Sequence, residues 1–475
     1  MMSISGKMKG QAMRAAVIGG GVIGGGWVAR FLLNGWDVAV FDPDPEAERK
    51  LDAVLANARA ALPMLYERSL SEEGRLSFAS SVAEAVSGAD WVQESVPERL
   101  DLKHRVLAEI EAANAEAPIG SSTSGFKPSE LREGMATGAR VFVAHPFNPV
   151  YLLPLVEIVG GEGADAGVIA RACEVLRGIG MYPLVIRAEI DAHIADRLLE
   201  AVWREALWLV KDGIATTGEI DEAIRMGFGL RWAQMGLFET YRIAGGEGGM
   251  AHFVAQFGPC LAWPWTKLMD VPEMTDDFAA EIGAQSDAQS GALSIRELER
   301  LRDKNLVAIL RALKREGSGA GRVLLEHDAM LGAPGEGVPL ETVRRVVPSD
   351  WTDYNGHMNE SRYGQVFSDA ADAVMAHLGA GPDYVASGQS FFTVETRISY
   401  LMETRAGERI RVATRVMGAE GKKLRLFHEM EREADGSVLA TCEQLLVHVD
   451  LGTRRSSLPG PDLAARIDAL AAAHV

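Results

Sequence analysis

Cysteine, long apolar runs and net positive charge are all scarce in this sequence. The three cysteines are Cys173, Cys260 and Cys442; their odd number and wide spacing indicate neither a disulfide framework nor a zinc site, and we predict no metal site. No segment has the roughly 18 uninterrupted apolar residues of a membrane span. The formal net charge of −18 argues against nucleic acid and anionic membranes as partners, because both require a basic face. Residues 1–13 lack an apolar core, so we predict no signal peptide and a cytoplasmic location.

What the chain does have is length and a changing pattern. With 475 residues it is too long for one ordinary core, and several domains are expected. Strands alternate with helices over residues 12–190, which is typical of a doubly wound α/β Rossmann domain with a parallel sheet. Residues 191–325 predict an all-α domain for substrate binding and dimerisation. The glycine-rich stretch 326–338 predicts a linker, and a helix followed by alternating strands predicts an α+β domain over 339–475.

The apolar runs also predict individual elements. In the first domain we expect a helix from the second strand to about residue 68. The strands expected there cover 14–18, 37–41, 90–96, 118–121, 140–144 and 154–159. The helices expected in the second domain cover 191–211, 217–225 and 293–314.

A glycine pattern follows the first predicted strand and opens a helix. Gly19, Gly21 and Gly24 have the spacing GxGxxG, and Asp42 lies 18 residues further on, at the end of the next strand. The first glycine allows the tight turn, the second admits a pyrophosphate and the third lets the helix pack closely. Asp42 would accept hydrogen bonds from ribose hydroxyls and repel a 2′-phosphate. The pattern therefore predicts NAD rather than NADP; FAD shares the glycines, but the downstream residues disfavour it.

A histidine and a glutamate stand 12 residues apart in apolar surroundings. His145 lies on a predicted proline-bounded turn, and Glu157 lies within the strand-like run 155–159. A buried carboxylate is costly unless something pairs with it. If Glu157 orients His145, the imidazole becomes a general base near neutral pH. The alternative is a strand-edge glutamate and a loop histidine that never meet.

These patterns together resemble the 3-hydroxyacyl-CoA dehydrogenase family over roughly the first 320 residues. The matching segments are Gly19 to Gly24, Ser122 to Ser124, His145 to Pro149, and Glu157. The resemblance implies that His145 takes the proton of the substrate hydroxyl while hydride passes to NAD. It also implies that Glu157 orients His145 and that Ser124 hydrogen-bonds the substrate oxygen.

One position departs from that family. An asparagine usually precedes the arginine on the first helix of the second domain, where this chain has Asp196 and Arg197. A carboxylate there adds negative charge near the substrate, which disfavours a long acyl-CoA and favours a cationic substrate. The alternative is an exposed Asp–Arg pair on a helix surface.

The second domain is rich in aromatic residues. They are Trp203, Trp208, Trp232, Tyr241, Phe253, Trp263 and Trp265. Core or dimer packing accounts for most tryptophans in helical domains, but aromatic faces also bind quaternary ammonium groups.

The segments 229–233 and 236–240 resemble the L-carnitine dehydrogenase branch of the family. This resemblance implies L-carnitine as the small-molecule substrate. Trp232 and Phe147 are then the candidates for an ammonium cage, and Arg231 or Arg197 for binding the carboxylate. Asn148, beside Phe147, is a further predicted substrate contact.

The last domain resembles hotdog-fold acyl-CoA thioesterases over about residues 339–450. The run 350–359 carries the resemblance, and Asp353 matches the carboxylate that acts as nucleophile or activates water. Backbone N–H groups at the following helix start can polarise a thioester carbonyl. The alternative is an Asx-rich turn, and His357 is a weaker candidate than Asp353. The resemblance also implies a homodimer.

The two resemblances together imply a bifunctional enzyme that oxidises L-carnitine to 3-dehydrocarnitine and hydrolyses an acyl-CoA. The pairing of the two resemblances implies betainyl-CoA as the thioester and glycine betaine as a product. One alternative is a short-chain 3-hydroxyacyl-CoA dehydrogenase fused to a thioesterase. Another is a structural protein that binds NAD without turnover.

Overall fold

A computed structural model describes the chain in two compact units. The first draws its described residues from 1–59 and 72–327, and the second from 60–71 and 328–475. The described residues are 13–66, 70–244, 247, 249–257, 265–267, 273, 275–278, 280–281, 284–285, 292–331 and 339–474. No helix in these ranges is both long and apolar enough to cross a membrane.

An eight-stranded sheet forms the centre of the first unit. Its strands are β1 (Arg14–Ile18), β2 (Asp37–Phe41), β3 (Leu76–Phe78), β4 (Trp91–Glu94), β5 (Ile119–Ser121), β6 (Val141–Pro146), β7 (Leu155–Val159) and β8 (Tyr182–Ile186). The order is β3-β2-β1-β4-β5-β6-β7-β8. The strands through β6 run parallel, so their carboxyl ends meet at one edge of the sheet. Ligands of doubly wound sheets bind at such an edge.

Helices cover this sheet. They are α1 (Val22–Leu32), α2 (Ala47–Ala61), α3 (Val82–Val86), α4 (Leu100–Ala113), α5 (Pro128–Leu131) and α6 (Ala166–Gly178). Asp165 caps α6 because its side chain accepts hydrogen bonds from the N–H groups of Gly167 and Val168. The apolar sides of α3 and α4 bury Val86, Leu107 and Ile110 in one core with residues of the sheet.

The predicted Rossmann architecture is present, with two corrections. The sheet is mixed, because β7 runs antiparallel to β6. The helix after β2 ends at Ala61 rather than near residue 68; a 3₁₀ turn, Leu62–Leu65, follows it. The short strands β3 and β8 lie in segments where the sequence pattern predicts no strand.

The rest of the first unit is helical, as expected. The helices are α7 (Ala195–Lys211), α8 (Thr217–Ala223), α9 (Gly229–Ala244), α10 (Gly249–Phe257), α11 (Ile295–Arg315) and α12 (Ala320–Met330). Capping boxes at Thr216 and Ser294 begin α8 and α11. Because α12 extends to Met330, the predicted linker cannot begin at 326; its glycine-rich part, 332–338, lies outside the described residues, as does Trp263.

The second unit is a long helix against a curved antiparallel sheet. The helices are α13 (Glu360–His377), α14 (Pro382–Ala386) and α15 (Pro461–His474); the strands are β9 (Leu340–Val346), β10 (Gln389–Tyr400), β11 (Arg409–Glu420), β12 (Lys423–Arg432), β13 (Val438–Asp450) and β14 (Arg455–Ser456). The sheet order is β10-β13-β12-β11-β9, with β14 paired to β13. The core of α13 is apolar, with Val366, Phe367 and Ala370 completely buried. This arrangement is the predicted α+β hotdog fold.

Candidate active site

His145 and Glu157 meet across the antiparallel pair β6–β7. His145 is the fifth residue of β6, so it lies in a strand and not on the predicted turn; the register places Glu157 directly opposite. Directly opposed residues project from the same face of a sheet, and the Nδ1 atom of His145 lies 3.0 Å from Oε2 of Glu157. The spacing of 12 residues is the spacing that this short strand-turn-strand connection imposes.

Glu157 is completely buried and fully hydrogen-bonded. Its other oxygen, Oε1, accepts hydrogen bonds from the backbone N–H groups of Ile194 and Ala195, each at 3.0 Å, where α7 begins. Burial alone would raise the pKa of Glu157, but the hydrogen bonds from His145, Ala195 and Ile194 outweigh it and lower that pKa. The ionised carboxylate therefore accepts the Nδ1–H of His145 and leaves Nε2 as the ring nitrogen that can accept a proton.

A second carboxylate lies on the other side of the same imidazole. Oδ2 of Asp196, in the first turn of α7, is 3.5 Å from Nε2 of His145. Burial raises the pKa of Asp196. Asp196 thus places a partly buried negative charge beside the atom that would accept the substrate proton. The Arg197 side chain next to it is exposed.

The loop that carries Ser124 is held by a carboxylate that the sequence patterns do not single out. Oε1 of Glu98 accepts hydrogen bonds from the backbone N–H groups of Ser124 at 3.1 Å and Gly125 at 3.0 Å, and from the hydroxyl of Thr123. Lys103, which is almost fully buried, lies 3.3 Å from the other oxygen of Glu98. Burial raises the pKa of Glu98, but these partners outweigh it and lower that pKa. Glu98 therefore acts as an ionised clamp on the serine loop.

The glycine turn has the space and polarity that a dinucleotide requires. Gly19 has φ +98°, and a Cβ on Gly24 would lie 1.8 Å from the carbonyl oxygen of Gly19, whereas a Cβ on Gly21 would meet nothing within 4 Å. Helix α1 begins after Gly21 without a side-chain cap, so its N–H groups can bind phosphate. Asp42 accepts a hydrogen bond from the N–H of Gly20 at 2.6 Å, which places its carboxylate at the turn.

A cavity of about 570 Å³ opens over this turn. Its lining includes Gly20, Gly21, Asn148 and Tyr151. The charged side chains around it are those of Arg49, Lys50, Arg296 and Arg302 and one carboxylate, that of Glu299. The volume is in the range of ligand pockets, and the cations suit an anionic pyrophosphate. The predicted substrate contact Asn148 therefore faces the nucleotide cavity.

The predicted aromatic and basic substrate contacts are only partly brought together. The Phe147 ring lies 4.9 Å from the ring of His145, edge to face. The Trp232 ring instead packs against the ring of Phe228 in a tilted arrangement, with 4.6 Å between the ring centroids, and Arg231 is exposed. Within the described ranges no contact joins Trp232 or Arg231 to His145, so their substrate roles stay predictions.

Asp353 lies in a tight turn before α13 in the second unit. Its Oδ1 accepts a hydrogen bond from the N–H of Asn355 at 2.8 Å, so the Asx turn proposed as the alternative exists. Yet Asn359, not Asp353, caps α13 by accepting a hydrogen bond from the N–H of Ser361. The half-buried Asp353 carboxylate is therefore not the cap of α13. His357 pairs with Glu403 at 3.2 Å.

Comparison with known proteins confirms both family resemblances. Residues 14–190 match the 3-hydroxyacyl-CoA dehydrogenase NAD binding domain, 193–271 match the 3-hydroxyacyl-CoA dehydrogenase C-terminal domain, and 346–467 match the Thioesterase-like superfamily. A protein of Ruegeria pomeroyi named L-carnitine dehydrogenase/betainyl-CoA thioesterase is 61% identical over 469 residues, covering 97% of this chain and 96% of that protein.

Two further relatives match the first unit. An L-carnitine dehydrogenase of Mesorhizobium japonicum is 62% identical over 310 residues, covering 65% of this chain and 85% of that protein. A solved structure of a 5-formyl-3-hydroxy-2-methylpyridine 4-carboxylic acid 5-dehydrogenase, an NAD⁺-dependent dismutase, has a TM-score of 0.54 and 25% identity, and covers 64% of this chain and 99% of that one. The chain belongs to the 3-hydroxyacyl-CoA dehydrogenase family and joins its NAD-binding and C-terminal domains to a thioesterase-like domain.

Proposed function

We propose that the first unit oxidises L-carnitine to 3-dehydrocarnitine with NAD. The observation that carries this proposal is the placement of His145 between two carboxylates, Glu157 at Nδ1 and Asp196 at Nε2. Glu157 prepares the imidazole as a base. Asp196 adds a charge that suits a cationic hydroxy acid, and the names of the relatives point to the same substrate.

In this mechanism Nε2 of His145 takes the hydroxyl proton, and Ser124 donates a hydrogen bond to the same substrate oxygen. NAD, held at the Gly19–Gly24 turn and at Asp42, supplies the acceptor for the hydride that leaves C3. Asp196 attracts the trimethylammonium group, and Phe147 offers an aromatic face beside it.

NADH formation measured by absorbance tests the proposal with three substrates: L-carnitine, D-carnitine and 3-hydroxybutyryl-CoA. We expect turnover of L-carnitine and none of the CoA ester. Turnover of 3-hydroxybutyryl-CoA alone would support the short-chain dehydrogenase instead, and NAD binding without turnover of any hydroxy acid would support a structural role. His145→Ala should lower kcat by at least about 10²-fold, the scale of general-base catalysis.

The second unit, in this proposal, hydrolyses betainyl-CoA at Asp353. The carboxylate stands before the amino end of α13, and the positive end of that helix dipole can stabilise the developing oxyanion. Release of free CoA from betainyl-CoA, followed with a thiol reagent, is the test. Equal rates with acetyl-CoA would contradict betainyl specificity.

We also propose a homodimer in the cytoplasm. In the described part of the sheet, β10 is an edge strand with exposed Phe392, Val394 and Tyr400. Such an edge is a site of association. Trp203 on α7 is 59% exposed, which disfavours a core role and suits an interface. The free thiols of Cys173 and Cys442 suit a reducing compartment.

A further inference from the structure

A strained turn joins β8 to α7 at the centre of the site. Ala192 and His193 have φ values of +58° and +51°, in the left-handed region that residues other than glycine rarely adopt. Such conformations cost free energy and persist where the surroundings impose them, often at functional sites. This turn delays the start of α7 to Ala195, four residues later than the sequence pattern predicts.

The His193 side chain is completely buried beneath the site. Its Nε2 atom lies 3.2 Å from the backbone carbonyl oxygen of Thr123 and donates a hydrogen bond to it. Thr123 directly precedes Ser124, so His193 holds the serine loop. Among the described residues, Nδ1 of His193 has no hydrogen-bond partner. Burial lowers the pKa of His193, which keeps the ring neutral.

The same turn also holds the base. Ile194 and Ala195, the next two residues, donate their N–H groups to Glu157, and the ring of His193 lies 5.5 Å from the ring of His145. Three consecutive residues, His193 to Ala195, therefore contact both halves of the catalytic set, the serine loop on one side and the His145–Glu157 pair on the other.

Other contacts between the serine loop and this segment are exposed. Lys127 pairs with Asp191 at 2.7 Å, and Ser129 donates hydrogen bonds to Glu189. Exposed ion pairs contribute little because water and salt screen them. Glu98 holds the serine loop itself, and the buried His193 bond is the contact that can fix this loop relative to the segment that holds Glu157.

We propose that His193 is a positioning residue that sets the distance from Ser124 to His145 for hydride transfer. The inference rests on the proposed oxidation of L-carnitine. The proton leaves the hydroxyl oxygen and the hydride leaves the carbon that bears this oxygen. Ser124 and His145 must therefore contact the same oxygen atom at the same time. A shift of about 1 Å in such a set can cost about 10²-fold in rate.

Three substitutions distinguish the contribution of the His193 hydrogen bond from the contributions of ring size and of the left-handed backbone. His193→Phe keeps a ring of similar size and loses the donor. His193→Gln offers an amide donor at the reach of Nε2. His193→Asn suits the left-handed backbone but is too short to reach Thr123. Asp191→Asn, which removes an exposed contact of the same segment, is the matched control.

The measurement is a single-turnover experiment with NAD in excess, with C3-deuterated L-carnitine used to identify the hydride-transfer phase. We expect His193→Phe and His193→Asn to lower the rate constant of that phase by about 10- to 100-fold at near wild-type amplitude. His193→Gln should restore most of it, and Asp191→Asn should change it less than about twofold. A reduced amplitude with an unchanged rate constant would mean that His193 serves folding alone, and it would overturn the proposal.

A double-mutant cycle with Ser124→Ala shows whether His193 acts through the serine. If it does, His193→Phe has no further effect on the rate constant in the Ser124→Ala background. Fully additive losses would contradict action through Ser124. His193→Asn replaces His193→Phe in the cycle if the latter does not fold. Absence of L-carnitine turnover in the wild-type enzyme would instead reject the proposed function, so the two failures are distinguishable.

Discussion

At the residue scale, the site depends on one imidazole that two carboxylates approach from opposite sides. Glu157, with its lowered pKa, stays ionised at neutral pH and accepts the Nδ1–H of His145. Its interactions are present above the ordinary glutamate pKa of about 4.3 and are lost as pH falls through the lower folded value. The pair therefore remains intact over the neutral range in which the base must work.

Glu157→Gln tests this orientation. The amide has no charge to stabilise the imidazolium, and its NH₂ group cannot accept a hydrogen bond either from His145 or from the N–H groups of Ile194 and Ala195. We expect kcat for L-carnitine to fall by about 10²- to 10³-fold with KM changed less than threefold, since wrong orientation of a catalytic histidine costs up to about 10⁴-fold in the serine protease triad. A large rise in KM at unchanged kcat would show that Glu157 serves binding instead.

Asp196→Asn tests the choice of a cationic substrate. We expect KM for L-carnitine to rise at least tenfold, about 1.4 kcal/mol of lost attraction, with little change in KM for NAD. Because burial raises the pKa of Asp196, the wild-type KM for L-carnitine should increase as pH falls through that raised value. The asparagine variant should lack this dependence. Equal KM values in wild type and variant would reject the role of Asp196 in cation binding.

The residues that sequence patterns predict are those whose partners lie nearby in the chain. His145 and Glu157 are 12 residues apart and lie opposite each other on two neighbouring strands, so their spacing in the sequence is enough to predict the contact. His193 and Glu98 escape such patterns because they meet Thr123 from 70 and 25 residues away. The identity of Asp196 is visible in the sequence, but its distance from His145 depends on the strained turn before α7.

At the element scale, the antiparallel strand β7 brings Glu157 back beside the carboxyl end of β6. Apolar runs predict both strands, but they do not give strand direction; the eight-residue connection 147–154 requires an antiparallel pair, since a parallel crossover needs about a dozen residues or more. Strands β3 and β9 escape detection for a different reason. They carry polar residues such as Ser77, Arg344 and Arg345 that interrupt the apolar pattern.

The turn before α13 carries the prediction for the second activity. Asp353→Asn should lower betainyl-CoA hydrolysis by at least about 10²-fold, because the amide is neither a nucleophile nor a base, and NADH formation should be unchanged. His357→Asn is the matched control in the same turn, with an expected loss below about fivefold because its partner is the exposed Glu403. Equal losses in both variants would indicate that the turn, rather than its carboxylate, is what hydrolysis requires.

The edge strand β10 carries the prediction for assembly. Val394 is 58% exposed on this edge, and a lysine there places charge where another sheet would pair. We expect Val394→Lys to weaken or abolish the dimer in light scattering after gel filtration. Glu395→Lys, on the same strand but already a charged position, is the control. A dimer of unchanged mass in Val394→Lys would place the interface elsewhere, with the exposed face of α7 the next surface to alter.

At the scale of the whole molecule, the described residues form two compact units that share neither strands nor sheet. The first contains the eight-stranded sheet and the second contains α13. The sequence predicts this division through its change from alternating α/β to α+β patterns, because each pattern reports which faces are buried. It does not predict that the described residues of 60–71 group with the second unit, since the sequence pattern continues the helix of the first domain to about residue 68.

Because a ligand stabilises only the structure that binds it, NAD should raise the unfolding temperature of one unit and not of the other in a calorimetric scan. At 100 times its Kd, NAD adds about 2.7 kcal/mol to the unit that holds the glycine turn. We expect two unfolding transitions, of which NAD raises one by several degrees and leaves the other within about one degree. Gly21→Asp, which puts a carboxylate where the pyrophosphate would lie, should abolish the shift while leaving both transitions in the absence of NAD. A single transition that shifts as a whole would show instead that the two units unfold cooperatively, and the two activities could then not be treated as separable.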